Sequence, residues 1–232
     1  MKISPANMGN MGYDRAITVF NPEGRLLQVE YAQKAVSSGA IAMGLVCQDS
    51  VILIADRPKV EGLLALDHTQ KIFELDKHIG CAAAGLIADA RIIVKNARDY
   101  AQKHRMSYGE GSDIKGIVTQ ISNLKQAYTQ YGGIRPFGTS ILIGGYDDKG
   151  PALYVTDPAG VYFKYYARAV GINSGEANAL LEKQYKPSMS TEDGLKLAKK
   201  IVKKVLGKDY SAKRIECSVV LKNKVARKSI IN

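Results

Sequence analysis

The segment Tyr13–Ala35, YDRAITVFNPEGRLLQVEYAQKA, stands ahead of the first apolar run of this 232-residue chain. Its middle, Asn21–Gly24, combines residue types that are typical of a turn, because proline fixes φ and glycine adopts left-handed conformations. From Leu26 onward, apolar residues recur at helical spacing until Gly39, which is placed to end the helix. The segment therefore predicts a turn followed by an N-terminal helix over residues 24–38.

Beyond this segment, strands and helices alternate in blocks. Short turns between the strands favour antiparallel sheets, and helices that occur in pairs favour an α+β architecture. We expect a four-layer sandwich, in which two stacked antiparallel sheets lie between outer helix pairs. The predicted strands are 40–47, 50–55, 70–75, 79–84, 139–146, 152–156, 161–164, 167–171, 214–221 and 225–230, and the predicted helices are 87–105, 112–131, 175–185 and 190–206.

The composition is that of an ordinary globular protein, with 46% apolar and 24% charged residues. No apolar run reaches the length of a membrane span, and the N-terminus lacks the pattern of a signal peptide. We therefore expect a soluble cytoplasmic protein. No linker divides residues 13–232, which predicts a single domain after a mobile tail at residues 1–12. The three cysteines are predicted to be reduced and buried: Cys47, Cys81 and Cys217.

The net charge of +11 raises the alternative of a nucleic-acid-binding module. Much of the excess lies in Ser190–Gly207, where five lysines recur at helical spacing opposite an apolar stripe. A solvated basic helix face accounts for this pattern, and no aromatic residues are interleaved for base stacking. We therefore expect no specific nucleic-acid binding, and salt-dependent retention would distinguish the two interpretations.

The quoted segment closely resembles the N-terminal signature of proteasome α-type subunits, the archaeal ones most. The family usually has serine where Asn21 stands, and asparagine is equally suited to a turn. The resemblance extends over essentially the whole chain after residue 12. It implies the fold of the N-terminal-nucleophile hydrolases, which agrees with the α+β sandwich expected from the pattern of strands and helices.

An active enzyme of this family begins its first strand with Thr, Ser or Cys, whose side chain attacks while the freed amine accepts the proton. Alignment of 40–44 with the family's Thr-Thr-Thr-Val-Gly start places Ala40 in the nucleophile position. The same alignment places Ile72 in the position of the helper lysine and Asp56 in that of the helper acid. The resemblance thus implies a non-catalytic subunit. The alternative, a catalytic β-type threonine protease or another N-terminal-nucleophile hydrolase, requires a hydroxyl or thiol at residue 40.

Other catalytic and metal-binding patterns are absent from the sequence. The three histidines, His68, His78 and His104, lack metal-ligand spacing. There is no nucleophile elbow and no phosphate-binding glycine-rich loop. We expect neither a metal nor a cofactor.

The resemblance implies that seven copies form a ring, which caps a ring of catalytic β subunits and admits unfolded polypeptide. Residues 1–12 would form the gate of this ring. The family residues that hold the gate open match Tyr13, Asp14, Pro22 and Tyr31. For Tyr31 there is an alternative, that it is only a core aromatic of the helix.

The resemblance also implies a docking pocket for an ATPase activator whose C-terminus reads hydrophobic–Tyr–any residue. A lysine between neighbouring subunits meets the terminal carboxylate, and it matches Lys71. The alternative for Lys71 is a solvated lysine at a strand end. Further pocket positions match Gly39, Glu30 and Leu86, whereas a basic residue of the family is replaced here by Gln33.

A final motif follows the second long helix. Residues 131–136 resemble the family's Tyr-Gly-Gly-Val-Arg-Pro loop, which lines the entrance of the barrel. The glycines also suit a turn that ends a helix, and both interpretations hold together. The predicted entrance loop consists of Tyr131, Gly132, Gly133, Ile134, Arg135 and Pro136.

Overall fold

A computed structural model describes residues 18–58, 63, 69–222 and 224–229, and of residues 226–229 it describes the backbone alone. The predicted tail at residues 1–12, together with Tyr13, Asp14 and His68, lies outside the described residues.

The described chain contains the helices and strands that the sequence pattern predicts, in the predicted order. The helices are α1 Leu27–Ser38, α2 Ile87–Tyr108, α3 Ile114–Ala127, α4 Ser174–Gln184 and α5 Thr191–Leu206. The strands are β1 Ala42–Val46, β2 Val51–Asp56, β3 Ile72–Asp76, β4 Ile79–Gly85, β5 Thr139–Asp147, β6 Gly150–Thr156, β7 Tyr162–Tyr165, β8 Ala167–Val170, β9 Ile215–Leu221 and β10 Lys224–Ser229.

The strands form two five-stranded sheets, and every pairing within them is antiparallel. The first sheet has the order β10-β9-β2-β1-β8, and the second has the order β3-β4-β5-β6-β7. Helices α4 and α5 pack on the first sheet, and α2 and α3 pack on the second. The α+β sandwich with outer helix pairs is therefore confirmed.

Three apolar cores correspond to the three spaces between these four layers. The middle core lies between the sheets and includes Leu53, Ile72, Ala82, Leu142 and Leu153. The two outer cores lie between each sheet and its helix pair. Helix α1 belongs to neither pair, since it packs against β4 and β5 and inserts Val36 into the middle core. It therefore lies at one end of the sandwich.

Several predicted helix boundaries are wrong: α2 ends at Tyr108 and not at residue 105, α3 begins at Ile114 and not at residue 112, and two further boundaries differ for local reasons. Helix α1 begins at Leu27 and not at residue 24, because residues 21–25 form a hydrogen-bonded turn and Leu26 is extended. Helix α3 ends at Ala127 and not at residue 131. The chain tightens there into i→i−3 hydrogen bonds, such as the 2.9 Å bond from the Thr129 amide to the Gln126 carbonyl.

The basic helix α5 has the predicted amphipathic form, with its lysines outward and Leu197, Ile201 and Val205 buried. Ser190 caps its N-terminus by accepting a hydrogen bond from the Asp193 amide. The three cysteines are buried and form no disulfide, as expected. Among the described residues, no helix combines the length and the apolar character needed to cross a bilayer.

Lys125 is a feature of α3 that the sequence pattern does not predict. Its side chain is fully buried, and its ammonium donates to the carbonyl of Thr139 at 2.9 Å and to the hydroxyl of Thr156 at 2.7 Å. Burial lowers the pKa of Lys125 from 10.5 to about 7, although the charge of Asp157 opposes this shift. The folded chain therefore releases this proton more easily than the unfolded chain does.

Lys125→Met should change how stability depends on pH. A lysine whose pKa is depressed in the folded state binds more protons when unfolded, so the wild-type free energy of unfolding rises between about pH 7 and pH 10. Methionine cannot titrate, and the variant should lack this increase, which amounts to at most about 1.4 kcal/mol per pH unit. Denaturant midpoints measured across this range test the difference in slope.

The matched control is Lys95→Met, because Lys95 lies on the surface of α2. That variant should keep the wild-type slope. If Lys125→Met and the wild type show parallel pH profiles, Lys125 is not the titrating group.

Candidate functional site

The turn before α1 is organised by the side chain of Asn21. Its amide oxygen accepts hydrogen bonds from the backbone amides of Glu23 at 3.1 Å and Arg25 at 2.8 Å. The backbone closes the same turn, because the Asn21 amide donates to the Arg25 carbonyl at 3.0 Å. Asn21 is buried, whereas Pro22 is exposed and Gly24 adopts a positive φ of 74°. The predicted turn is therefore held by one buried polar side chain.

An exposed apolar surface lies beside this turn. Phe20 is 62% exposed and Tyr31 is 44% exposed, and Val19 is exposed as well. The ammonium of Lys34 lies 5.7 Å from the ring centroid of Tyr31. The alternative that Tyr31 is a core aromatic is therefore wrong, because α1 buries Ala32 and Val36 and turns Tyr31 outward.

The acidic and basic groups of this segment pair with one another. Arg25 binds both carboxylate oxygens of Glu30 and also Glu23, which lies 2.9 Å away. The hydrogen bond from Arg25 lowers the pKa of the Glu30 carboxyl. Glu30 therefore serves here to join the turn to α1.

The junction between α1 and β1 depends on a close approach of two backbones. A Cβ built on Gly39 would lie 2.7 Å from the Cα of Gly85, at the end of β4. The Gly39 carbonyl also accepts a 2.7 Å hydrogen bond from the amide of Ile172. A larger residue at position 39 would push α1 away from β4. The contact within the chain is thus sufficient to require glycine there.

The structure corrects the predicted position of the helper lysine. Ile72 does not point towards Ala40, because it is buried in the middle core between the sheets. The neighbouring residue Lys71 does, since its ammonium donates to the carbonyls of Ala40 and, at 3.3 Å, of Ile41. Successive residues of an extended chain face opposite ways. The alignment was therefore wrong by one residue.

Lys71 is also not the solvated lysine of the alternative interpretation, since it is only 2% exposed. Burial lowers the pKa of Lys71 from 10.5 to about 8, and the charges of Asp56 and Glu216 oppose that shift. The Glu216 carboxylate also accepts hydrogen bonds from the backbone amides of Lys71 at 2.9 Å and Ile72 at 3.2 Å. Lys71 is therefore anchored through both its backbone and its side chain.

Asp56, the residue in the position of the helper acid, forms an ion pair with Arg214. Its carboxylate forms two hydrogen bonds with the guanidinium of Arg214, at 3.0 and 2.8 Å. The side chains of both residues are largely buried. A cation and an acid thus surround Ala40, but the methyl group of Ala40 can neither attack a carbonyl nor transfer a proton.

Three of the four predicted docking residues meet at the end of the sandwich where Ala40 lies. Gly39 contacts Gly85, Leu86 follows Gly85 and is half exposed, and the Lys71 ammonium reaches the Ala40 carbonyl. Glu30 is not among them. It lies nine residues before Gly39, roughly 13 Å along α1 at the rise of a helix.

The predicted entrance loop follows the end of α3. Tyr131 is 63% exposed, Gly132 and Gly133 are exposed, and Gly133 has a φ of 84°. Arg135 turns back towards the protein and pairs with Asp89 of α2, while Pro136 is buried. The glycine turn is therefore confirmed, and the lining of an entrance stays a prediction.

Two carboxylates that shape this region were missed by the sequence reasoning. Asp89 and Glu216 each lie inside an otherwise apolar stretch of a helix or a strand, which was the only available signal. Their partners, Arg135 and Lys71, are distant in sequence. Within the described residues, no group of three or more His, Cys, Asp or Glu is close enough to hold a metal ion.

Comparisons with known proteins agree with this geometry. A family model for proteasome subunits matches residues 36–220, and a second model, for the N-terminal signature of the A-type proteasome subunits, matches residues 13–35. The proteasome alpha subunit from Pyrococcus horikoshii is 46% identical over 94% of this chain and 83% of its own length. The protein of the same name from Methanopyrus kandleri is 42% identical over 99% of this chain and 94% of its own length. The one from Archaeoglobus fulgidus is 47% identical over 82% and 77%.

Asn21→Ala should destabilise the turn, because it leaves the amides of Glu23 and Arg25 without their side-chain acceptor. Each lost bond is worth about 0.5–1.5 kcal/mol, so a total loss of about 1–3 kcal/mol is expected in the free energy of unfolding. Denaturant midpoints measure this loss. Asn21→Ser keeps a hydroxyl acceptor and should recover part of it. Equal midpoints for all three proteins would show that Asn21 does not hold the turn.

Proposed function

Because this chain belongs to the family of proteasome α-type subunits, we propose that it is a non-catalytic subunit of a cytoplasmic 20S core particle. Seven copies form an outer ring that caps a ring of catalytic β subunits. The ring gates the passage of unfolded polypeptide and docks an ATPase activator. The observation that carries this proposal is the α1–β1 junction, where Gly39 packs on Gly85 and Ala40 lies just before β1.

The junction supports a non-catalytic role in two ways. Ala40 has no hydroxyl or thiol, and its nitrogen is an ordinary peptide nitrogen, because the chain continues into α1. An N-terminal nucleophile needs both a nucleophilic side chain and a free amine at the same residue. The alternative, a β-type threonine protease, would lack both at this position.

The surface of the N-terminal segment supports assembly with other chains. Val19 and Phe20 are exposed just before the turn, and Tyr31 is exposed on α1 after it. Large exposed apolar side chains often mark a protein interface. In the proposed particle they contact a neighbouring α subunit or the tail residues of the gate.

Docking of the activator is proposed at the place where Gly39, Lys71 and Leu86 meet. Leu86 offers apolar surface and Lys71 offers a cation for a terminal carboxylate. Because Lys71 is buried against the carbonyls of Ala40 and Ile41, the carboxylate must compete with these internal acceptors.

Removal of residues 1–12 should speed the admission of substrate. We expect a particle assembled with active β subunits to degrade peptides faster when its α subunits lack this tail, since the tail is the proposed barrier. A fluorogenic peptide and an unfolded protein substrate measure the two rates. Unchanged rates would mean that the tail is not the barrier.

The purified chain without β subunits tests the absence of catalysis. The chain alone should hydrolyse no peptide and should keep residues 1–39, as intact mass would show. Loss of these residues together with peptide cleavage would favour the β-type alternative.

Lys71→Met should weaken stimulation by a peptide that carries the activator tail. Methionine keeps the length of the side chain but cannot pair with a carboxylate, so binding should weaken about tenfold or more. Stimulation of the wild type should also fall as the pH rises through about 8, where Lys71 loses its charge. A titration of peptide against degradation rate measures both effects.

The matched control is Lys95→Met, which makes the same change at an exposed lysine of α2 that pairs with Asp99. Lys95 is not one of the proposed pocket residues, so this variant should respond to the peptide like the wild type. Identical titration curves for Lys71→Met and the wild type would refute the docking assignment.

A further inference from the structure

The loop at residues 131–139 has two parts with different surroundings. At its tip, Tyr131 is exposed, and a Cβ built on Gly132 or Gly133 would meet nothing within 4 Å. The stem at residues 135–139 is bonded to α2, α3 and β4. Apart from the 3.2 Å bond from the Tyr131 amide to the Ala127 carbonyl at the end of α3, the tip has few contacts of its own, so its position also depends on what holds the stem.

The main anchor of the stem is the carboxylate of Asp89, in the first turn of α2. One oxygen accepts a 2.8 Å bond from Arg135, and the other accepts bonds from Arg135 at 2.6 Å and from the Gly138 amide at 2.8 Å. The Arg135 guanidinium also donates to the Pro136 carbonyl at 3.0 Å. Asp89 thus fixes the stem at two points, through a side chain and through the backbone.

The electrostatics of Asp89 agree with this geometry. Asp89 is 5% exposed, and burial alone would raise the pKa of its carboxyl. The hydrogen bonds from Arg135 and Gly138 outweigh burial and hold the pKa below its ordinary value. Asp89 is therefore ionised, and its bonds are of the strong, charge-assisted kind.

Secondary contacts secure the residues on either side. The Leu86 amide donates to the Gly138 carbonyl at 2.9 Å, and the Lys125 ammonium donates to the Thr139 carbonyl at 2.9 Å. The ring of Phe137 stacks on Tyr128 with centroids 4.3 Å apart. None of these contacts reaches Arg135, for which Asp89 is the charged partner.

We propose that Asp89 is the positioning residue of the entrance loop. Its buried carboxylate binds Arg135 and the Gly138 amide and thereby helps to determine the position of residues 131–133. The carboxylate acts on the loop of its own chain and touches no substrate. Any effect of this role on the passage of unfolded polypeptide rests on the proposed function, in which the loop lines the entrance of the ring.

Asp89→Asn tests the proposal in a particle assembled with active β subunits. Asparagine keeps the size of the side chain, but it loses the charge and turns an NH₂ group towards one of its donors. Hydrogen exchange across residues 131–139, and at the Gly138 amide in particular, should become at least about tenfold faster. Exchange in β2, at the centre of the first sheet, should not change.

The matched control is Asp99→Asn, on the same helix. Asp99 pairs with Lys95 at 3.0 Å on the surface, and this exposed pair contributes little. The control should leave exchange in the loop unchanged. If Asp89→Asn also leaves it unchanged in an intact particle, or accelerates exchange equally in β2, the positioning role is overturned.

A second variant covers the case in which Asp89→Asn prevents assembly. Arg135→Lys keeps the charge, but an ammonium cannot reproduce the two-point geometry of the guanidinium. Faster exchange at residues 131–136 supports the proposal, and wild-type exchange overturns it. In the double variant Asp89→Asn, Arg135→Lys, the acceleration should be less than the product of the two single effects, because both changes break the same pair.

Degradation rates separate this proposal from the function on which it rests. The ratio of rates for a long unfolded protein and a short peptide reports on the entrance. A loosened loop with a changed ratio supports both the positioning role and the entrance. A loosened loop with an unchanged ratio supports the positioning role and contradicts the assignment of the loop as the entrance.

Discussion

The contact between Gly39 and Gly85 is the constraint on which the candidate site depends. Two backbones approach there more closely than any side chain permits, and this brings the end of α1 against the end of β4. The same contact delivers the chain into β1 at a fixed place. Ala40, Lys71 and Leu86 come together as a consequence, although none of them lies near another in sequence. The two glycines therefore allow the close approach of the backbones, and the other residues provide the charged and apolar groups of the candidate site.

Buried cations recur in this fold with neutral oxygens as their closest partners. Lys71 is bound by the carbonyls of Ala40 and Ile41, and Lys125 by oxygens of Thr139 and Thr156. Neutral acceptors compensate only part of the cost of desolvation, which is why both pKa values fall. The two lysines thus lower stability in their charged forms. A role in holding the chain or a ligand would account for lysines whose burial costs stability. For Lys71, the proposed carboxylate of the activator would offset the desolvation of the ammonium better than the neutral carbonyls do.

The sequence pattern predicted the order of the strands and helices because each has a clear periodicity or turn residues at its ends. It failed where long-range contacts decide the outcome. Ile72 and Lys71 are adjacent, and only the packing of the sheets shows which of them faces Ala40. Asp89 acts through Arg135, and no local pattern joins these two residues. The start of α1 was missed for a local reason, since the side chain of Asn21 extends the turn to residue 25.

The surroundings of Ala40 lack the two groups that an N-terminal nucleophile requires. A lysine and an acid remain nearby, but each has other partners: Lys71 binds backbone carbonyls, and Asp56 binds Arg214. The nitrogen of residue 40 lies within a continuous chain that leads into α1, so it cannot accept a proton as a free amine would. A hydroxyl at residue 40 would therefore lack the free amine that serves as its base. Helix α1, to which the proposed function gives a part in assembly, is therefore also the element that keeps the nitrogen of residue 40 within the chain.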